Sequence, residues 1–513
     1  MNRTLFFILF LSLANLIFSQ GVTRSYDFEG EISEEVLRNY LSRAVTMAEF
    51  SVKPEFSQDG YNQYSEDDFR FIENISPKFI GRAIFRWGNE SRLNDPEFIN
   101  YAKESIDRIH ERNPDAIFQA SIFEVVTTDL NAITIPDYVF QAFDVEVENR
   151  KFNYSDMLDE SGKFVNHWGT DRSVPDITRL ETQFWFYYLA ALYIDAGFEA
   201  IHWGQVRLIG MNDQARFSRF DKVFKMVREY AFSHARRKYV LFDAHTPNGG
   251  IIANRVLLFD FHSFPLRIKE VVDKPMEGIL EVGHLDALYT RSRGGMTASG
   301  WECESLPYLV EFDNFGISDH SGSANINDHF VWGYDEISWF ANQADEYGKE
   351  FLEYAYNWIS EADTNGYLQM PGGRKVSELG YNTLYRANTK SENCLIGRNL
   401  EETIMDLWTE EGTVDISNTT LPEKFILNQN YPNPFNPTTT ISYSLPQSGF
   451  VQLKVYDMLG CEVATLVNEE QSQGNYSVEF DASSVNRRVT SGIYFYKIQV
   501  RDFTQTKKLI LLR

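Results

Sequence analysis

Along the middle of the chain, short apolar runs alternate with longer segments that carry apolar residues at three- and four-residue spacing. The short runs are Phe79–Trp87, Ile117–Val125, Ala200–Leu208, Tyr239–Asp243, Val256–His262, Ala287–Thr290, Tyr308–Asp313 and His329–Gly333. Their length and β-branched and aromatic content predict strands. The helical segments between them include Asp95–Glu111, Arg179–Ala196, Phe217–Arg237 and Trp339–Ala362. Strands alternating with helices predict a parallel sheet covered by helices, and eight such strands over residues 76–418 predict an α/β fold of the (β/α)8 TIM-like barrel type. An open doubly wound sheet is the competing arrangement. No Gly-x-Gly-x-x-Gly or Walker loop follows any strand, which argues against a nucleotide fold. Residues 131–178 are long, aromatic and turn-rich, and read as an insertion over the barrel mouth. Residues 21–75 read as a helical lead-in with one helix, Ser33–Phe50.

The pattern changes at both ends. Residues 1–20 join one positive charge to a short apolar run, Leu5–Phe18, with small residues near Ser19. That is the layout of a secretory signal peptide, too short and poorly flanked for a membrane anchor. Past residue 418 a linker, 419–430, leads into Asn430-Tyr-Pro-Asn-Pro-Phe-Asn-Pro437, whose prolines forbid helix. Alternating runs follow at Thr440–Leu445, Val451–Asp457, Gly474–Asp481, Gly492–Val500 and Thr506–Leu511. Short strands separated by turn signals predict an all-β, Ig-like sandwich over 431–513.

This stretch resembles the C-terminal sorting domain of the type IX secretion system. The resemblance rests on Asn430–Pro437, on Val455-Tyr-Asp-Met-Leu-Gly460, on Ser491-Gly-Ile-Tyr-Phe-Tyr496 and on the terminal Lys507-Lys-Leu-Ile-Leu-Leu-Arg513, in that order over residues 422–513. It implies that residues 431–513 engage the type IX machinery. The protein would then pass through the periplasm to the cell surface or the medium.

Composition narrows the partners. With 43% hydrophobic and 24% charged residues the chain is a folded globular protein. Its net charge of −25 repels phosphate backbones and argues against nucleic acid. Cys303, Cys394 and Cys461 are too far apart for a Cys-x-x-Cys site. A Cys303–Cys394 disulfide is conceivable in an oxidising compartment. Aromatics make up 15% of the chain, enough for a large core and also for flat ligand-stacking surfaces.

In a β/α barrel the chemistry sits where the strands run out at their C-terminal ends. Those positions hold Arg86 and Trp87, Glu124, His202, Trp203 and Gln205, Asp243 and His245, Asp260 and His262, and Glu311 and Asp313. A ring of carboxylates with nearby aromatics suits glycoside hydrolysis, which needs one protonated carboxyl and one ionised carboxylate across a sugar ring. On this reading Glu311 is the nucleophile or base, Asp243 the acid with Glu124 its rival, and Asp313 a further carboxylate. Arg86, Trp87, His202, Trp203, Gln205 and His245 line the substrate, a polysaccharide or oligosaccharide, with Trp168 and Trp332 as further stacking platforms. The arrangement resembles the glycoside hydrolase barrel superfamily in architecture only, and the Asn-Glu pair common at its fourth strand is missing, since Ala244 follows Asp243. No cofactor is needed for this chemistry. The alternative is a divalent metal ion held by His202, Asp243, His245, Asp260 and His262, because Asp-x-His places both side chains on one face of a strand. A third reading is a carbohydrate-binding barrel without catalysis.

Overall fold

The computed structural model describes residues 24–57, 63–246, 249–271, 274, 277–281, 292–314, 335–378, 381–413, 425–427, 430, 435–471, 474–483, 485, 489–501 and 503–511. The chain forms two compact units, Met1–Thr409 and Glu410–Arg513. The predicted signal peptide, the predicted strands Ala287–Thr290 and His329–Gly333, and Trp332 lie outside the described residues.

The first unit is mixed α/β. Its main strands are β1 (Ala44–Met47), β2 (Phe79–Phe85), β3 (Ile117–Ser121), β4 (Ala200–His202), β5 (Leu241–Asp243), β6 (His262–Pro265), β7 (Tyr308–Glu311), β8 (Gly366–Leu368), β9 (Met370–Glu378) and β10 (Tyr381–Arg386). A seven-stranded sheet runs β10-β9-β1-β2-β3-β4-β5, parallel except for the β9–β10 hairpin, and a three-stranded parallel sheet runs β6-β7-β8. A parallel bridge, His245 to Ser263, links β5 to β6. The Gln369 N–H, between β8 and β9, donates to the Val310 carbonyl at 2.8 Å.

The helices follow the predicted periodicity closely. In α3 (Pro96–His110), Asp95 caps the N-terminus by accepting from the Glu97 N–H, and Phe98, Ala102, Ile106 and Ile109 form the buried stripe. Helix α4 (Leu180–Asp195) is apolar around nearly its whole circumference because it is covered on both sides. Phe140, Phe143 and Phe152 of the 131–178 segment stack on its Phe184, Trp185, Tyr187 and Tyr188. Trp339–Ala362 divides into α6 (Glu336–Ala341) and α7 (Asp345–Ala362), with α5 (Ser218–His234) earlier in the chain.

Three expectations are corrected. The segment read as a helical lead-in contains β1. Helix α1 (Glu34–Leu41) stops at Leu41, and Ala44–Met47 is a fully buried strand between β9 and β2. A strand buried on both faces has no polar alternation, so its four residues merged with the helical pattern before them. Val256–His262 is also not one strand: Val256–Leu257 belongs to a small separate sheet, and His262 opens β6. Counting from β1, Asp243 therefore ends the fifth strand and His202 the fourth. The cysteines are all free thiols, so Cys303 and Cys394 form no disulfide.

In the second unit the described strands are β11 (Ile426–Leu427), β12 (Thr438–Leu445), β13 (Gly449–Tyr456), β14 (Glu462–Gln471), β15 (Gly474–Asp481), β16 (Gly492–Val500) and β17 (Phe503–Leu511). They pair antiparallel in two sheets, β11-β12-β15 and β14-β13-β16-β17. Ile441, Tyr443, Val451, Leu453, Val455, Tyr496, Ile498 and Leu509 share one core. The motif residues each have a physical task. The Asn430 N–H donates to the Tyr496 hydroxyl at 2.7 Å and its side chain to Thr439 at 2.9 Å. Asp457 accepts from the Leu459 and Cys461 N–H groups, both at 2.9 Å, and Gly460 takes φ +78°, which closes the β13–β14 turn.

Candidate active site

The C-terminal ends of β2 through β9 carry a buried polar cluster centred on Glu311. This residue ends β7 and is 1% exposed. Arg82 forms a two-point ion pair with it, with the Nε–Oε2 contact at 3.0 Å. Arg374, on β9, donates to Oε2 at 3.1 Å, and His245 Nε2 lies 2.9 Å from Oε1. Burial alone would raise the Glu311 pKa. The Arg82 charge, the His245 hydrogen bond and the Arg374 charge outweigh it and hold the carboxyl well below its ordinary value. Arg374 also contacts Asp313 at 3.3 Å. Burial pushes the Asp313 carboxyl up, but His245 and both arginines leave it lowered.

Arg82 reaches Glu311 because β2 is bulged. Its pairing with β3 slips between Ile80 and Ile84, and Arg82 sits at φ +57°. The Gln119 side-chain oxygen accepts the freed Arg82 N–H at 3.1 Å. A non-glycine residue held in left-handed backbone inside a strand re-aims its side chain, a device found beside functional sites.

Below Glu311 lies a second group. Asp243 is fully buried and accepts from Gln119 at 2.7 Å, His202 Nδ1 at 2.7 Å and Ser263 at 2.5 Å. In-register pairing of Ser121, His202 and Asp243 on β3, β4 and β5 sets them at one level. Burial, then the nearby Arg82 charge, pull the His202 pKa down to about 4 despite Asp243. His202 is therefore neutral at physiological pH, with its proton on Nδ1 and Nε2 an acceptor.

Glu124 lies just beyond β3 and is 2% exposed. Its oxygens accept from the Gln205 backbone N–H at 2.9 Å and the Gln205 amide at 3.1 Å. Burial pushes its pKa up, and the Gln205 hydrogen bonds and His245 offset only part of that. Gly204, at φ +56°, makes room for it: a Cβ there would lie 2.3 Å from Glu124 Oε2. Beside Glu124 stand four half-buried aromatics, Phe85, Trp87, Phe123 and Trp168. Trp87 packs on Phe123 and Trp168 with ring centres 5.2 and 5.5 Å apart, and Trp168 Nε1 donates to the Glu124 carbonyl at 3.2 Å.

The structure thus brings together Glu311, Asp313, His245, His202, Gln205, Glu124, Trp87 and Trp168. It places others elsewhere. Asp243 is enclosed, and three donors occupy its oxygens. Trp203 points into the helical layer, against Phe186, Phe224 and Phe242. Arg86 donates to the Phe56 carbonyl at 2.7 and 3.0 Å and covers the Phe98 ring. Asp260 binds Arg228 and Tyr239, and His262 pairs with Ser292 on the face opposite Ser263. The five residues weighed as metal ligands therefore do not converge. Among the described residues no group of three or more His, Cys, Asp or Glu is placed to hold a metal ion. Arg82, Arg374, Gln119 and Ser263 were not singled out in the sequence. For Arg82 a signal existed: a charge midway along the apolar strand Phe79–Phe85.

Residues 429–512 match the family model described as the secretion system C-terminal sorting domain. They are a type IX sorting domain. The protein is accordingly exported, to the cell surface or the medium, and its sorting domain is the part that meets the secretion machinery. Among the described residues no helix is long and apolar enough to cross a membrane. Among solved structures, dimeric latent PorU from Porphyromonas gingivalis is similar at 16% identity over 17% of this chain and 9% of that one, with a TM-score of 0.15. The chain thus spans about a tenth of that protein's length. The endo-β-1,4-mannanase from Thermotoga petrophila is similar at 11% identity, covering 93% of this chain and 98% of that one, TM-score 0.30. Amy13B from Eubacterium rectale is similar at 9% identity, covering 86% and 95%, TM-score 0.38. No curated protein matches the sequence.

Proposed function

We propose that the first unit is a closed (β/α)8 barrel that hydrolyses an extracellular glycan, with Glu311 as the ionised carboxylate and Glu124 as the general acid. The sorting domain would be an Ig-like sandwich that delivers it, and residues 1–20 a signal peptide that starts the export. The closed ring is supported by the His245–Ser263 bridge and by the passage of β8, paired to β7, into β9, paired to β1.

The observation that carries the chemistry is the opposite displacement of two carboxyls at one set of strand ends. Glu311 is held down by two arginines and a histidine, and Glu124 is pushed up by burial. Two titratable groups driven apart by their surroundings divide into base and acid. His245, hydrogen-bonded to Glu311, also acts on Glu124 through its charge, so it couples the pair. The half-buried aromatics supply faces on which sugar rings stack.

The test is reducing-end release from a broad panel of polysaccharides, followed by a pH profile on any substrate found. Activity needs Glu311 ionised and Glu124 protonated. The ascending limb should therefore lie well below the ordinary carboxyl value of 4.5, and the descending limb above it. The Glu124→Gln variant should lose the descending limb. Activity that rises steadily into alkaline pH would sink the assignment.

Gly204→Ala is a finer check, because the added methyl collides with Glu124. Activity should fall by about 100-fold, the cost of a misplacement of roughly 1 Å, while stability drops by only about 1–3 kcal/mol for strained backbone. Unchanged activity would mean that the position of Glu124 is unimportant.

A further inference from the structure

Arg207 follows two residues after Gln205, the residue that holds Glu124. Its guanidinium lies over the Phe217 ring at 5.6 Å, and its Nε is buried without a hydrogen-bond partner among the described residues. The Arg293 N–H donates to the Gly249 carbonyl at 2.7 Å, in the segment after β5, and β5 pairs with β4, whose following segment carries Arg207. Burial and then the charge of Arg293 lower the Arg207 pKa. The neighbourhood gathers more positive charge. Short strands Val256–Leu257 and Gly295–Met296 pair side by side, which brings the segments of Arg255 and Arg293 together. Asn254 donates to Asp221 at 2.6 Å and ties that turn to the first turn of α5, where Arg219 stands. Arg219, Arg255 and Arg293 are exposed.

The nearby carboxylates do not neutralise this group. Asp213 accepts from the Ser218 and Arg219 backbone N–H groups, and Asp221 pairs with Lys225 at 2.7 Å. Glu302, beside Met296, and Glu304 form no ion pair with these arginines among the described residues. A half-buried guanidinium beside a second one is costly unless an anion offsets them. In a chain of net charge −25 such a group stands out.

We infer that Arg207 and Arg293, flanked by Arg219 and Arg255, bind the anionic substituents of a glycan, sulfate esters or uronate carboxylates, beside the carboxyl pair. This rests on the glycan-acting reading and narrows it to acidic polysaccharides.

The test titrates the full chain with dextran sulfate, polygalacturonate, uncharged dextran and single-stranded DNA, at low and at physiological salt. At least one acidic polysaccharide should bind tenfold or more tighter than dextran, and binding should weaken as salt rises. Which one binds separates sulfate from carboxylate. The Arg207→Ala/Arg293→Ala double variant should lose that preference tenfold or more with an unchanged melting temperature. Because Arg207 is partly packed, the exposed Arg293→Glu single variant is measured too, and it should show at least a threefold loss. Equal binding of dextran, DNA as good as the acidic glycans, or variants that bind like wild type would each overturn the site. Binding of an acidic polysaccharide with no reducing-end release leaves this site standing and removes the hydrolase reading. Cleavage of neutral glycans alone does the reverse.

Discussion

Glu311→Gln should lower turnover on any substrate found by about 1,000-fold or more, since it removes the carboxylate that two arginines and His245 hold well below its ordinary pKa. The change is nearly isosteric, but it is not silent for the fold. A glutamine offers one oxygen and one N–H₂ group where two guanidinium groups and His245 now meet two oxygens. Activity must therefore be compared with the melting temperature of the same sample. A variant that stays folded and loses turnover places Glu311 in the chemistry. A folded variant within tenfold of wild type would make the carboxylate a structural ion-pair centre and move the chemistry to other residues of the site.

Arg82→Met should produce the largest loss of stability, about 3–5 kcal/mol, because removing one partner of a buried ion pair leaves the other short of compensation. Arg374 and His245 would remain on Glu311 and limit the damage. The pH dependence separates this from simple loss of packing. The Glu311 pKa is depressed in the folded protein, so its contribution is present above the ordinary value of 4.5 and is lost as pH falls through the lower folded value. Without Arg82 that folded value moves up towards 4.5 and the contribution shrinks, so the variant should lose less stability in acid than wild type and its deficit should be smaller at low pH. Urea melts at pH 7 and pH 4 read this directly. Equal losses at both pH values would show that Arg82 matters by volume and not by charge.

Much of this was legible in the chain. The sorting domain was readable because its strands alternate and its turns are fixed locally. Asp457, Gly460 and Asn430 act on backbone within a few residues or on adjoining strands. Helices α3 and α4 and the apolar strand cores were also readable, since capping and periodicity are properties of short segments. The strand-end rule pointed to Glu311, Asp313, His245 and Glu124 as a group.

What the tertiary structure alone decided is which way each side chain faces and what surrounds it. Asp243 and Glu124 look alike in the sequence, each a carboxylate closing an apolar run. One is enclosed by three donors and the other lies under a patch of aromatics. Trp203 and Trp87 both follow strands, yet one packs against Phe224 of the helical layer and the other against Trp168 beside Glu124. A one-residue difference in strand position reverses the face a side chain takes, and nothing local records it. The Arg82–Glu311 pair joins residues 229 positions apart through a bulge. β1 escaped notice because a strand buried on both sides has no polar face to mark it. The chain itself specified the strands, the helices, the route of export and the pool of chemical groups. Only folding, by selecting faces and setting charges into low-dielectric contact, sorted that pool into a carboxyl held well below its ordinary pKa, one pushed above it, and the residues that surround them.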